Sequence, residues 1–109
     1  MKDRRWAMIS QPMRGRSEQE IREEREDAIK VLEAIGYKVV DNTEGTLEPI
    51  EKEQVAGVNI PLRCLSNSIR VMALCDAVFF CKGWKDARGC RVEFHAAIAY
   101  GLQILFAER

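Results

Sequence analysis

Apolar and polar positions along this chain switch between two periods, and the switches mark its elements. Trp6 to Ser10 is a short apolar run that reads as a first strand. It closes in Gln11-Pro-Met-Arg-Gly-Arg16, a loop punctuated by Pro12 and Gly15. Ser17 and Glu20 have the spacing of a capping box, in which each side chain satisfies the other residue's orphan backbone N–H. Behind it Ile21, Ala28, Ile29, Leu32 and Ile35 share one helical stripe, with Glu18–Arg22 and Glu26–Lys30 as i,i+4 pairs on the wet face. Gly36 stands where a left-handed residue ends a helix.

Tyr37 to Val40 is a second strand, ended by Asp41-Asn42. Thr43 to Ile60 is polar and without a clean period. A connection of that length more often serves as a lid, binding loop or subunit contact than as a plain link, here with a short helical turn expected at Glu48 to Gln54. Pro61 suits the first turn of a helix, whose apolar stripe is expected at Leu62, Leu65, Ile69, Met72 and Ala73. Asp76 leads into the strand Ala77 to Cys81. A loop Lys82 to Ala87 follows, then a helix from about Arg88 to Tyr100 stopped by Gly101, and a last strand Leu102 to Phe106. The order β-α-β-loop-α-β-α-β predicts an α/β fold: a Rossmann- or flavodoxin-like three-layer sandwich of four to five parallel strands with right-handed crossovers. At 109 residues there is room for one domain, spanning 1–109, and not for two.

Charge and cysteine content narrow the function classes. Seventeen basic and 17 acidic residues cancel, so no net field draws the chain to a nucleic acid polymer or an anionic membrane. The charges concentrate in residues 14 to 33, as a solvated helix face. Cys64, Cys75, Cys81 and Cys90 form no CxxC pair, and three sit in apolar surroundings, as buried reduced thiols do. No apolar run approaches the ~20 residues that span a bilayer, and the charged N-terminus has no apolar segment of a secretory signal behind it. A soluble, cytoplasmic protein is expected.

In an open parallel sheet the loops at the carboxyl ends of the strands build the site. Three pieces meet at that edge: Ser10 to Arg16, Asp41-Asn42, and Lys82 to Glu93. Glu93 is the most informative residue among them. An acid facing inward on the first turns of a helix would sit beside N–H groups that favour negative charge, and can serve as nucleophile or general base. Each candidate also has a plain structural reading. Glu93 could be a solvated or paired surface acid, and Asp76 a strand-start cap. Arg14 and Arg16 could be surface charge, and Trp84 a cover for the core or a dimer contact. His95 lies two residues from Glu93, on a different side of the helix. Cys90, Glu93 and His95 lack metal-ligand spacing, so no metal is expected, and Cys90 reads as a packed thiol. There is no GxGxxG fingerprint, hence no dinucleotide cofactor.

Ile9-Ser-Gln-Pro-Met-Arg-Gly15, Cys75-Asp-Ala-Val-Phe-Phe80, Gly83-Trp84, Arg88-Gly89, and Glu93 followed eight residues later by Gly101 resemble the nucleoside 2-deoxyribosyltransferase-like superfamily over nearly the whole chain. The branch is its small DUF4406-like members, a domain of unknown function common in phages and bacteria. The resemblance implies an N-glycosidic-bond hydrolase or transferase acting on a nucleoside, deoxynucleoside or nucleotide. Glu93 would be the nucleophile, Asp76 its helper, and Asp86 the loop aspartate. It implies a sugar or 5'-phosphate cradle at Ser10, Gln11, Pro12, Met13, Arg14 and Gly15, completed by Gly83, Trp84, Arg88 and Gly89, with Trp84 as a stacking platform for the base. Gln11 stands where the family has glycine, and its side chain is expected to intrude on the ligand. No cofactor is needed, and a homodimer or higher homo-oligomer in a bacterial or phage-infected cytoplasm is implied. A non-catalytic module that senses or sequesters a nucleotide or nucleotide-sugar signal is the alternative.

Overall fold

In the structure, a computed structural model that describes residues 5–43 and 57–107, four described strands form one parallel sheet in the order β2-β1-β3-β4. The elements run β1 (Arg5–Ser10), α1 (Glu18–Ala34), β2 (Tyr37–Val39), α2 (Ile60–Met72), β3 (Ala77–Phe80), a 3-10 turn (Trp84–Asp86), α3 (Arg88–Ala99) and β4 (Gln103–Phe106). This is the Rossmann- or flavodoxin-like sandwich the element order predicts. The expected turn at Glu48 to Gln54, and most of the connection proposed as a lid, lie outside the described residues.

The two central strands are buried on both faces, which is why Ala7 to Ser10 and Ala77 to Cys81 read as unbroken runs and not as alternation. Ala7, Ile9, Ala77, Phe79 and Cys81 meet Ala28 and Leu32 of α1 on one face. Met8, Val78 and Phe80 meet Val71, Met72 and Cys75 at the end of α2, together with Ala97 of α3, on the other. The capping box at Ser17 forms in both directions: Ser17 N–H donates to Glu20 Oε1 at 2.9 Å, and Glu20 N–H to Ser17 Oγ at 3.1 Å.

Asp76 sits at the amino end of β3, where its Oδ2 accepts Trp6 N–H at 2.8 Å and its own N–H donates to Trp6 O at 2.8 Å. It ties the starts of β1 and β3 together, as a strand-start cap.

The stripe expected on α2 is corrected. The face turned to the sheet is Asn67, Ser68, Val71 and Met72, while Leu62 is 59 % exposed and Ile69 37 %. Residues 68, 71, 72 and 75 are one helical face, and a polar pair at its upper end masks it in the sequence. Met72→Ala should therefore cost about 2–5 kcal/mol, whereas Leu62→Ala should stay within about 0.5 kcal/mol. Equal losses in urea unfolding would restore the sequence-based stripe.

Candidate functional site

The carboxyl edge of the sheet carries a cleft of about 1040 Å³. Its walls come from the loop after β1, Asn42 and Thr43 after β2, the first turns of α2, and the segment Gly83 to Glu93. Glu93 is its buried floor, 6 % exposed although it is a carboxylate. The sequence puts it there because Cys90, Glu93 and Ala97 share the inward face of α3. Ser10, the last residue of β1, donates its hydroxyl to Glu93 Oε1 at 2.6 Å, and Ser68 of α2 supplies a second hydroxyl bond. Burial pushes the Glu93 carboxyl above the usual carboxylate range, and the two hydroxyls pull back against it.

Glu93 lies in the second turn of α3, so its bonds come from side-chain hydroxyls and not from the first-turn N–H groups that its position in the sequence suggested. That first turn has no side-chain cap, and Ala87, Arg88, Gly89 and Cys90 line the cleft. Its orphan N–H groups and the helix dipole favour an anion. Among the described residues, five arginines (Arg14, Arg16, Arg63, Arg88 and Arg91) line the cleft, against two acids, Asp86 and Glu93. The described walls of the cleft are thus rich in positive charge. Arg16 is committed to Glu24 and, at 2.9 Å, to Lys82 O, and Arg91 donates to Lys85 O at 3.0 Å.

Pro12, Met13, Arg14, Gly83, Asp86, Arg88 and Gly89 line the cleft as expected. Gly83 has φ +85°, and a Cβ there would come within 3.2 Å of the Arg16 guanidinium. Gly15, with φ +79°, shapes the turn behind Arg14, whose Met13 O accepts Arg16 N–H at 3.2 Å.

Four expectations change. Ser10 lies beneath the cleft, bracing Glu93, and is not among its lining residues. Gln11 lines the cleft, but its amide nitrogen donates to Ile21 O at 2.8 Å and Glu24 Oε1 at 2.9 Å, which ties the end of the side chain to α1. Trp84 stacks on Phe94 at 4.5 Å and on Phe106 at 5.7 Å, beside Phe80, so its ring belongs to the core under the cleft wall and is no platform for a base. Asp76, at the amino end of β3, is four residues from Phe80, about 13 Å along the strand from the site edge. Its helper role does not fit that placement.

Sequence reasoning missed Asn67, Ser68, Arg63 and Cys64 of α2, together with the role of Asn42. Asn42 donates to Ile9 O at 3.2 Å and to Ser68 Oγ at 3.1 Å. The readable signal was the polar pair Asn67-Ser68 in register with Val71, Met72 and Cys75. The Cys90 thiol is raised by burial, and Cys81 is pushed up to about 12 by burial with Glu24 nearby, which suits packed and unreactive thiols.

Fold and site together define a Rossmann-like α/β domain with one braced, buried carboxylate under a basic cleft. The family model described as Domain of unknown function (DUF4406) matches residues 7–106, and the chain belongs to that family. No curated protein and no solved structure matches the chain. Among the described residues, no helix is long and apolar enough to cross a membrane.

A carboxyl raised in the folded state binds protons there more tightly than in the unfolded chain. Stability therefore falls as pH climbs from the unfolded value through the folded one. Glu93→Gln, which keeps an acceptor for Ser10, should raise stability more at pH 8 than at pH 4. A pH-independent effect in thermal melts would contradict the buried charge.

Proposed function

We propose that the protein cleaves the N-glycosidic bond of a nucleoside, deoxynucleoside or nucleotide, with Glu93 as the nucleophile. The likeness to the nucleoside 2-deoxyribosyltransferase-like superfamily implies that role. The observation that carries the reading is the carboxylate itself, buried at the floor of a cleft at the carboxyl edge of a parallel sheet and held by two hydroxyls. A carboxylate so held attacks the anomeric carbon opposite the base. The C–N bond electrons leave on the base, which takes up a proton, and an ester joins the sugar to Glu93. Water or a second base then opens the ester, so two inversions give net retention.

Among the described residues, Asp86 is the other carboxylate lining the cleft, and in this reading it handles the proton of the departing base. A 5'-phosphate suits the uncapped first turn of α3 together with Arg14 and Arg88. The cleft volume accommodates a nucleotide. Val92 and Ile98, both exposed on α3, suit a contact with a second copy, consistent with a homodimer or higher homo-oligomer.

One observation favours the binding-module alternative. Burial shifts Glu93 toward its neutral form, and Asp86 stands exposed on its turn, so the site has acid chemistry for binding without a tightly paired catalytic couple.

Incubation with a panel of nucleosides and 5'-monophosphates, followed by chromatography of free base, separates the two. The enzyme reading expects base release that Glu93→Gln lowers by about 10³-fold or more. Tight binding of a panel member that survives Glu93→Gln, with no base released by either protein, would leave the binding module standing.

A further inference from the structure

A polar chain behind Glu93 runs from α1 to α3. Arg25 of α1 donates through Nη2 to Asn42 Oδ1 at 2.5 Å. The amide nitrogen of Asn42 then donates to Ser68 Oγ at 3.1 Å, and the Ser68 hydroxyl bonds to Glu93. The order of donors is fixed by its neighbours. Turning the Asn42 amide over would set its NH2 against a guanidinium and its oxygen against Ile9 O, so only one orientation satisfies both ends. Asn67 Nδ2 also holds Asn42 by its backbone carbonyl, at 3.1 Å. A serine hydroxyl has one proton. With its oxygen already accepting from Asn42, that proton is left for the carboxylate.

Resting on the nucleophile reading above, we propose that Asn42 and Ser68 are positioning residues that commit the Ser68 proton to Glu93 and so hold its carboxylate charged and aimed up into the cleft. Every dipole from Arg25 to Glu93 points the same way, positive end toward the carboxylate, and aligned hydrogen bonds of this kind strengthen one another. Ser10 makes the matching bond from β1. Among the described residues, the charged groups lining the same cleft are Arg14, Arg16, Arg63, Asp86, Arg88 and Arg91, and the Cys90 thiol lies beside Ser10. Substitutions at Asn42 or Ser68 leave all of them in place.

The test reads Glu93 directly and needs no turnover. In protein carrying carbon-13 at glutamate side-chain carboxyls, the Glu93 resonance is assigned by its loss in Glu93→Gln and followed against pH. Ser68→Ala and Asn42→Ala should each raise the proton affinity of Glu93 about threefold or more, Ser68→Thr should restore it, and Ser66→Ala, on the exposed side of α2, should leave it unchanged. If Asn42→Ala does not fold, Ser68→Ala carries the test, because it removes the donor to Glu93 and leaves Asn42 held by Ile9 O, Arg25 and Asn67. Titration midpoints in Ser68→Ala or Asn42→Ala equal to that of the unaltered protein would overturn the proposal. A shifted midpoint in a protein that releases no base would support the positioning role while the enzyme reading fell.

Discussion

The hydrogen bond from Ser10 to Glu93 is the constraint around which the carboxyl edge is arranged. A carboxylate this buried is costly unless its oxygens are satisfied, and the cost falls on whatever surrounds it. Here β1 supplies one hydroxyl from beneath and α2 a second from the side. That requirement explains why α2 turns two polar side chains inward at its upper end and leaves Leu62 and Ile69 outside. It also explains a chain of amide and guanidinium groups reaching back to α1. A fold made for stability alone would put an apolar residue at position 93 and dissolve the network. Retaining the acid lowers stability, and such a trade is common at functional sites.

Much of the fold was legible because its signals are local. The capping box at Ser17, the helix stop at Gly36, the double-sided apolar runs of β1 and β3 and the order of elements all depend on neighbours in sequence, and each formed as expected. The inward turn of Glu93 was legible for the same reason, since Cys90 and Ala97 fix the buried face of α3. What failed depended on partners far along the chain. The sheet-facing side of α2 is chosen by what lies under it, and a stripe through Leu62 and Ile69 is equally periodic. Trp84 satisfied a ligand-platform reading and a core reading equally well until Phe94 and Phe106 were seen to sandwich the choice. Gln11 looked intrusive only while the acceptors on α1 were out of view.

Asp76 shows how placement limits a role carried by resemblance. Its carboxylate is an acid near an apolar strand, as Glu93 is near an apolar helix face, yet the two stand at opposite ends of the sheet. In a parallel sheet only the carboxyl ends converge on ligand, so the acid before β3 serves strand registration and the acid after it can serve chemistry. The arginines follow the same logic. Scattered through a sequence whose basic and acidic residues balance, they gather at the cleft only once the three loops are brought to one edge.

The central claim is a covalent one, that Glu93 attacks a sugar. Intact-mass spectrometry of protein quenched in acid after mixing with the nucleosides and monophosphates tests it most directly. The account predicts a mass increase equal to one ribosyl, deoxyribosyl or phosphorylated sugar group, mapped by peptide fragmentation to Glu93. Base released at full rate with the adduct on another residue, or by a Glu93→Gln protein as quickly as by the original, would contradict it.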